Sequence, residues 1–369
     1  MRIQRDAIVV ALLVPEKLRE LSMSEWDLLI RQGRAANLLA RLANQLIEAD
    51  YMKFVPKAPR LHLISALKVA KRQNVAVRRE VECIRQALIS SGVELVLLKG
   101  AAYVMANLVA GEGRTFSDID ILVPKSQLSV VEGELMIHGW KGVQHDAYDQ
   151  RYYRRWMHEI PPMLHVLRGT TIDVHHAILP ETARVKVNTM ALFGAVVPLP
   201  GCGDLYTLRE TDMFLHSATH LFHEGNFEKG LRDLFDLDSL LREFLAHDNF
   251  LCDLIPRATD LGLIRPLYYA LRYTSMILET PIPAAIIDAA NAGRPSFLTL
   301  KLMDLCYLRA LRPMHISTES FGKRCSCFAL YVRSHWIRMP LHLLFYHLGR
   351  KAFTHSKLFD AKKLNEQVI

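Results

Sequence analysis

The residues of this chain best placed to do chemistry are two aspartates, two apart, inside an apolar and β-branched run: Ser117-Asp118-Ile119-Asp120-Ile121-Leu122-Val123. The run reads as a half-buried strand. Side chains on a strand alternate faces, so Asp118 and Asp120 project from the same one. Carboxylates that close repel each other unless a cation lies between them. Oxygen-only ligation by paired aspartates suits Mg²⁺ or Mn²⁺, and these ions suit a triphosphate. A third acid, Asp173, lies in Thr171-Ile172-Asp173-Val174-His175, which a turn at Arg168-Gly169-Thr170 joins to Met163-Leu164-His165-Val166-Leu167. That hairpin would bring Asp173 beside the pair, on the same face as His175. Phosphoryl and nucleotidyl transfer often need a third acid, to bind a second metal or to activate the attacking hydroxyl.

Asp-x-Asp alone is common at strand ends and in loops, so its surroundings matter. It is preceded by Leu97-Leu98-Lys99-Gly100-Ala101-Ala102 and by Arg114. Gly100 lacks a β-carbon and lets the backbone approach a phosphate. A helix opening near Ala101 would aim free N–H groups and the positive end of its dipole at that anion. Lys99 and Arg114 could neutralise phosphate oxygens, Arg114 by a bidentate grip. The plainer reading of each is a solvated charge beside a turn.

At these residues the chain resembles the uncharacterised bacterial nucleotidyltransferases of the DNA polymerase β-like superfamily. Their pattern is a strand, a Lys-Gly turn, a helix, an Arg, Asp-Ile-Asp and a later Asp-x-His strand. The likeness covers roughly residues 90 to 240. It implies a metal triad of Asp118, Asp120 and Asp173. It also implies a nucleotide grip from Lys99, Gly100, Ala101, Arg114 and Ser117, with an NTP as substrate and Mg²⁺ or Mn²⁺ as cofactor. Two departures fall on the grip. Gly100-Ala101 stands where the superfamily has Gly-Ser or Gly-Gly, and the spacing from Gly100 to Asp118 is longer. A helix over 101–109 and a Gly111-Glu112-Gly113 loop account for that length.

The elements that must position these residues read as an α+β protein. A small mixed sheet with helices on one side forms the nucleotidyltransferase core, flanked by N-terminal and C-terminal helical regions. The expected divisions are 1–90, 91–200 and 201–369. Helices are expected from Ser24-Glu25-Trp26 through Leu42, and from about Leu61 to Ile89, where Ser91-Gly92 ends the second. Strands are expected at Val93–Leu98, Ile119–Val123, about Gly142–His145 and in the hairpin, with a helix over about Ser126–His138. Pro198-Leu199-Pro200-Gly201-Cys202-Gly203 breaks the chain, and from Thr211 to about Phe353 the pattern is helical.

In that helical part His216, His220 and His223 share a face at i, i+4 and i+7. Zinc could use such spacing, but no acid completes a zincin pattern, so core or capping histidines are the better reading. The resemblance allows His175, His216, His220 or Asp233 to face the nucleotide or acceptor cleft. For Leu231-Arg232-Asp233-Leu234-Phe235-Asp236 the plainer reading is an Arg232–Asp236 pair at i, i+4.

The 369 residues, half of them hydrophobic, can bury a sizeable core, and 23% charged residues argue against global disorder. The net charge of +8 is uneven: from Lys301 onward twelve basic residues face four acidic ones. The aromatic and basic stretch from Tyr331 to Phe353 could lie on an anionic membrane or bind nucleic acid. Pro340 favours the plainer alternative, a terminal helix packed on the helical region. Six scattered cysteines suggest reduced thiols in a cytoplasmic protein. The apolar run from Ala7 to Val14 is too short for a secretory signal, and no span reaches membrane length.

The expected function is therefore metal-dependent transfer of an NMP from an NTP to a hydroxyl on a sugar, small molecule, protein or RNA. Its rival is an inactive nucleotide-sensing or scaffolding protein that engages membrane or RNA through the basic tail. A zinc hydrolase built on His216 and His220 is a distant third.

Overall fold

A computed structural model describes residues 6–143, 150, 153–154 and 156–339. Ser22 and Glu25 form a reciprocal capping box that opens the helix Met23–Ala35, whose Trp26, Leu29 and Ile30 are buried. The sequence suggested one helix through Leu42. Instead the chain breaks at Asn37, whose φ of 56° is left-handed, and restarts as Leu39–Glu48. Asparagine tolerates that conformation better than most residues, which lets the second helix fold back. A 32-residue helix, Lys57–Leu88, follows with Leu63, Leu67, Val77, Val81 and Ile84 buried, and a short 3₁₀ turn and Gly92 (φ 65°) end it.

Seven strands form one mixed sheet: β1 (Leu95–Leu97), β2 (Asp118–Leu122), β3 (Trp140–Gly142), β4 (Met163–His165), β5 (Thr171–His175), β6 (Val196–Pro198) and β7 (Leu205–Leu208). Their order is β3-β4-β5-β2-β1-β7-β6. β2 runs antiparallel to β1 and parallel to β5, and β1 runs parallel to β7. With helices at both ends, this is the expected α+β class.

β6 and β7 were not foreseen. The Pro/Gly run read as a break is the loop of their hairpin, with Gly201 and Gly203 at φ 73° and 66°. Pro198 sits on β6, an edge strand, where a missing N–H costs no ladder bond. The sheet thus continues past residue 200. Strand β3 begins earlier than the expected Gly142–His145, whose last two residues lie outside the described ones.

Beside the helix Gly230–Phe244, the helices Glu210–His223, Ile264–Leu278 and Phe297–Ala310 contribute Phe222, Tyr269, Tyr273 and Tyr307 to an aromatic cluster. The helix Phe321–Arg338 leans on it: Arg333 donates to the Phe222 carbonyl at 2.9 Å, and its guanidinium lies over Tyr269. The described part of the basic stretch therefore packs on the helical region, while Phe328, Tyr331 and Trp336 remain exposed. Residues 340–353 of that stretch lie outside the described ones. All six cysteines are unpaired. No described helix is long and apolar enough to cross a membrane.

Candidate active site

The register of β2 and β5 sets Asp120 directly opposite Asp173. Asp118, two residues back, points from the same face, and all three line a cleft of about 340 Å³. The opposite wall comes from Ser217 and His220 on the Glu210–His223 helix and from Arg232, Asp233 and Asp236 on the Gly230–Phe244 helix.

Lys99 and Arg114 line this cleft, but both charges are engaged. The Lys99 ammonium donates to Asp120 Oδ1 at 2.9 Å. Burial alone would depress its pKa, but the Asp120 carboxylate, with Glu224 and Glu159 behind it, raises it on balance. Burial would likewise push the Asp120 carboxyl up, yet Lys99 and His175 hold it well below the ordinary range. Arg114 Nε donates to Asp236 Oδ2 at 2.9 Å, and Arg41 donates to the other oxygen at 2.7 Å.

That arrangement corrects the expected Arg232–Asp236 pair. Arg232 turns to its neighbour Asp233, at 2.5 Å, because two other guanidinium groups already occupy Asp236. It also changes the reading of Gly100. A β-carbon there would lie 2.0 Å from Arg114 Nη1 and 2.8 Å from the Phe116 ring, so the glycine makes room for those side chains. The helix begins at Lys99 rather than Ala101 and runs only seven residues, with Gly100 and Ala101 buried and away from the cleft lining. Side-chain charges, not a helix end, line the cleft. The exposed Ser117 hydroxyl accepts a hydrogen bond from the half-buried Lys229 ammonium at 3.0 Å.

His175 is buried beside the acids, with Nε2 3.0 Å from Asp120 Oδ1 and Nδ1 3.3 Å from Glu159 Oε2. Burial opposes its protonation, but the hydrogen bond to Asp120 and the Glu159 charge raise its pKa. The Asp173 carboxyl is pushed up to about 7 by burial first, then by Asp120 and Glu159.

The histidine face of the Glu210–His223 helix splits. His220 lines the cleft and lies 3.2 Å from Glu224, whereas His216 lines a smaller space behind it with His158 and His223. Burial holds the pKa of His216 and of His220 below the usual value. Among the described residues, the trio whose donor atoms all lie within 4.8 Å of one another is His158, Glu159 and His175. It includes neither His216 nor His220, which leaves the zinc-hydrolase reading without its ligand set.

Sequence reasoning missed Glu159, Lys229 and Asp236. Glu159 reaches the cleft through an isolated bridge to His175, which no local pattern announces. Lys229 immediately precedes the Gly230–Phe244 helix, and its cleft position depends on how that helix docks. For Asp236 the signal existed, since a buried acid on an apolar helix face needs a partner, but the partners lie far away in sequence.

The three aspartates supply a donor set suited to a hard divalent cation. Asp173 Oδ1 is buried with no hydrogen-bond partner, a costly state for a carboxylate oxygen that a cation would relieve. A family model described as an uncharacterised nucleotidyltransferase matches residues 22–279. No curated protein and no solved structure matches the chain.

Proposed function

Because this chain belongs to that nucleotidyltransferase family, we propose that it moves an NMP from an NTP to a hydroxyl acceptor, with Asp118, Asp120 and Asp173 holding Mg²⁺ or Mn²⁺. The observation that carries the reading is the pairing of Asp120 with Asp173 across β2 and β5, in a cleft that Asp118 also lines. A bound divalent ion would neutralise the triphosphate and polarise its phosphorus.

The chain's own residues do the rest. Lys229, whose described partner is only the Ser117 hydroxyl, supplies a charge for the triphosphate at the cleft mouth, and Ser117 orients it. Arg114 and Arg232, steadied by Asp236 and Asp233, add positive potential along one wall. Lys99 keeps Asp120 ionised and in place. Asp173, with Oδ1 available to the metal and its carboxyl pKa raised to about 7, accepts the proton of the acceptor hydroxyl on its other oxygen. The freed oxygen bonds to the α-phosphorus as the bond to the leaving pyrophosphate breaks.

The test uses the purified chain, Mg²⁺ or Mn²⁺, a cell extract as acceptor source, and each NTP labelled at the α or the γ phosphate. Label from the α position, absent with the Asp118→Ala/Asp120→Ala double variant, is the expected result. Transfer from the γ position would make the protein a kinase. Transfer from neither, with all four NTPs, would overturn the catalytic reading.

A further inference from the structure

We propose that His158, Glu159 and His175 form a second metal site at the cleft floor, taking a zinc-class divalent ion. Two buried imidazole nitrogens, His158 Nδ1 and His175 Nδ1, have no hydrogen-bond partner, and their residues are only 9% and 2% exposed. Glu159 Oε2 lies 3.3 Å from His175 Nδ1. One donor atom from each of the three residues lies within 4.8 Å of the others. Bonds of ~2.0–2.1 Å at tetrahedral angles need ligand atoms about 3.3 Å apart, so closing the separations by up to about 1.5 Å suffices.

The backbone already holds these residues together. His176 N donates to the His158 carbonyl at 2.8 Å and Ile160 N to the Val174 carbonyl at 3.0 Å, which clamps residues 158–160 along β5. The outer contact also fits. A metal-bound histidine commonly donates its other ring N–H to a carboxylate, and His175 Nε2 is 3.0 Å from Asp120 Oδ1. That bond leaves the Nδ1 lone pair free to ligate.

The competing account puts a proton where the metal would be, with a charged His175 bridging Asp120 and Glu159. It explains His175 but leaves His158 Nδ1 buried without a partner. Two imidazoles and one carboxylate favour zinc-class ions over Mg²⁺, so the site differs in kind from the aspartate set. Its occupancy would fix His175, and through it Asp120, without entering the transfer reaction.

The experiment titrates Co²⁺, as a spectroscopic substitute for Zn²⁺, into the chelator-stripped full chain under saturating Mg²⁺. We expect one equivalent to give the intense visible bands of a four-coordinate ion, displaced by Zn²⁺ and not by Mg²⁺. His158→Gln and Glu159→Gln should each weaken Co²⁺ binding about tenfold or more, with circular dichroism unchanged. Should either variant fail to fold, zinc-edge X-ray absorption of the wild-type chain decides, with two imidazole ligands expected. Absent bands, bands untouched in both folded variants, or zinc without imidazole ligands would overturn the site. None of these readouts depends on turnover, so the site and the transferase reading can fail separately.

Discussion

Lys99 Nζ lies 2.9 Å from Asp120 Oδ1, so the lysine two residues past β1 carries the charge that steadies the central acid of β2. Antiparallel pairing of β1 with β2 makes the contact: Leu97 lies opposite Ile121, and Leu98 N donates to the Asp120 carbonyl. Lys99 also has a φ of 45°, uncommon for a side chain with a β-carbon. The backbone bend and the ion pair occur at the same residue.

Lys99→Met should therefore be costly. It leaves Asp120 buried beside Asp173 with only His175 as partner, and removing one member of a buried pair typically costs about 3–5 kcal/mol. Urea unfolding at neutral pH without divalent ions measures this. A loss under about 1 kcal/mol would mean the pair contributes little.

Asp173→Asn should move stability the other way. Wild-type Asp173 faces Asp120 and Glu159, and Asn removes one of these crowded acids. A gain of about 1–2 kcal/mol in metal-free buffer is expected, with transfer activity lost. Mg²⁺ should raise the melting temperature of the wild type, because a ligand that binds only the folded state stabilises it, and should leave the variant unmoved. Equal Mg²⁺ responses would take Asp173 out of the ligand set.

Gly100→Ala tests what the glycine is for. The new methyl would meet Arg114 Nη1 and the Phe116 ring, so Arg114 must leave Asp236 or the helix must shift. Overpacking of this kind costs about 1–3 kcal/mol. Combining it with Arg114→Ala, which vacates the space, should recover part of the loss. A fully additive double variant would show that the methyl clashes with something else.

Acid should weaken the fold through its buried histidines. Burial, with the Arg333 and Arg338 charges, lowers His223 from 6.5 to about 3. The unfolded chain then takes up a proton where the folded chain does not. This contribution is fully present above about pH 6.5 and is lost as pH falls toward about 3, at up to ~1.4 kcal/mol per pH unit. His158, His216 and His220 shift in the same direction. His223→Leu should flatten the fall in unfolding free energy between pH 7 and 5 without abolishing it. An unchanged slope would mean His223 is already protonated in the folded state.

Much of the site was legible because its signals are local. Period-two alternation put Asp118 and Asp120 on one face, and the turn at Gly169 announced the strand that carries Asp173. What escaped depends on register and docking. Nothing near Lys99 says that its partner is Asp120, and nothing near Gly100 says that an arginine fourteen positions on will fill its missing side chain. The histidine face read as one unit divides because His220 borders the cleft while His216 and His223 are buried in the interior. β6 and β7 are strands of three and four residues, too short for periodicity to stand out against their Pro and Gly neighbours.

The parallel pairing of β2 with β5 also governs when the site can come into being. A synthesised chain carries Asp118 and Asp120 well before Asp173 exists, and β1 waits longer still for β7. Asp173 does not meet Asp120 through local contacts, nor β7 meet β1, so loops of 53 and 110 residues must close first, a slow step for non-local sheets. Until then the acids stay solvated, and Asp173 is too far from the other two to repel them. The crowding of charge that equips the cleft is thus imposed late, and the hydrophobic residues that alternate with it, Ile119, Ile121, Ile172 and Val174, must supply the drive that brings it about.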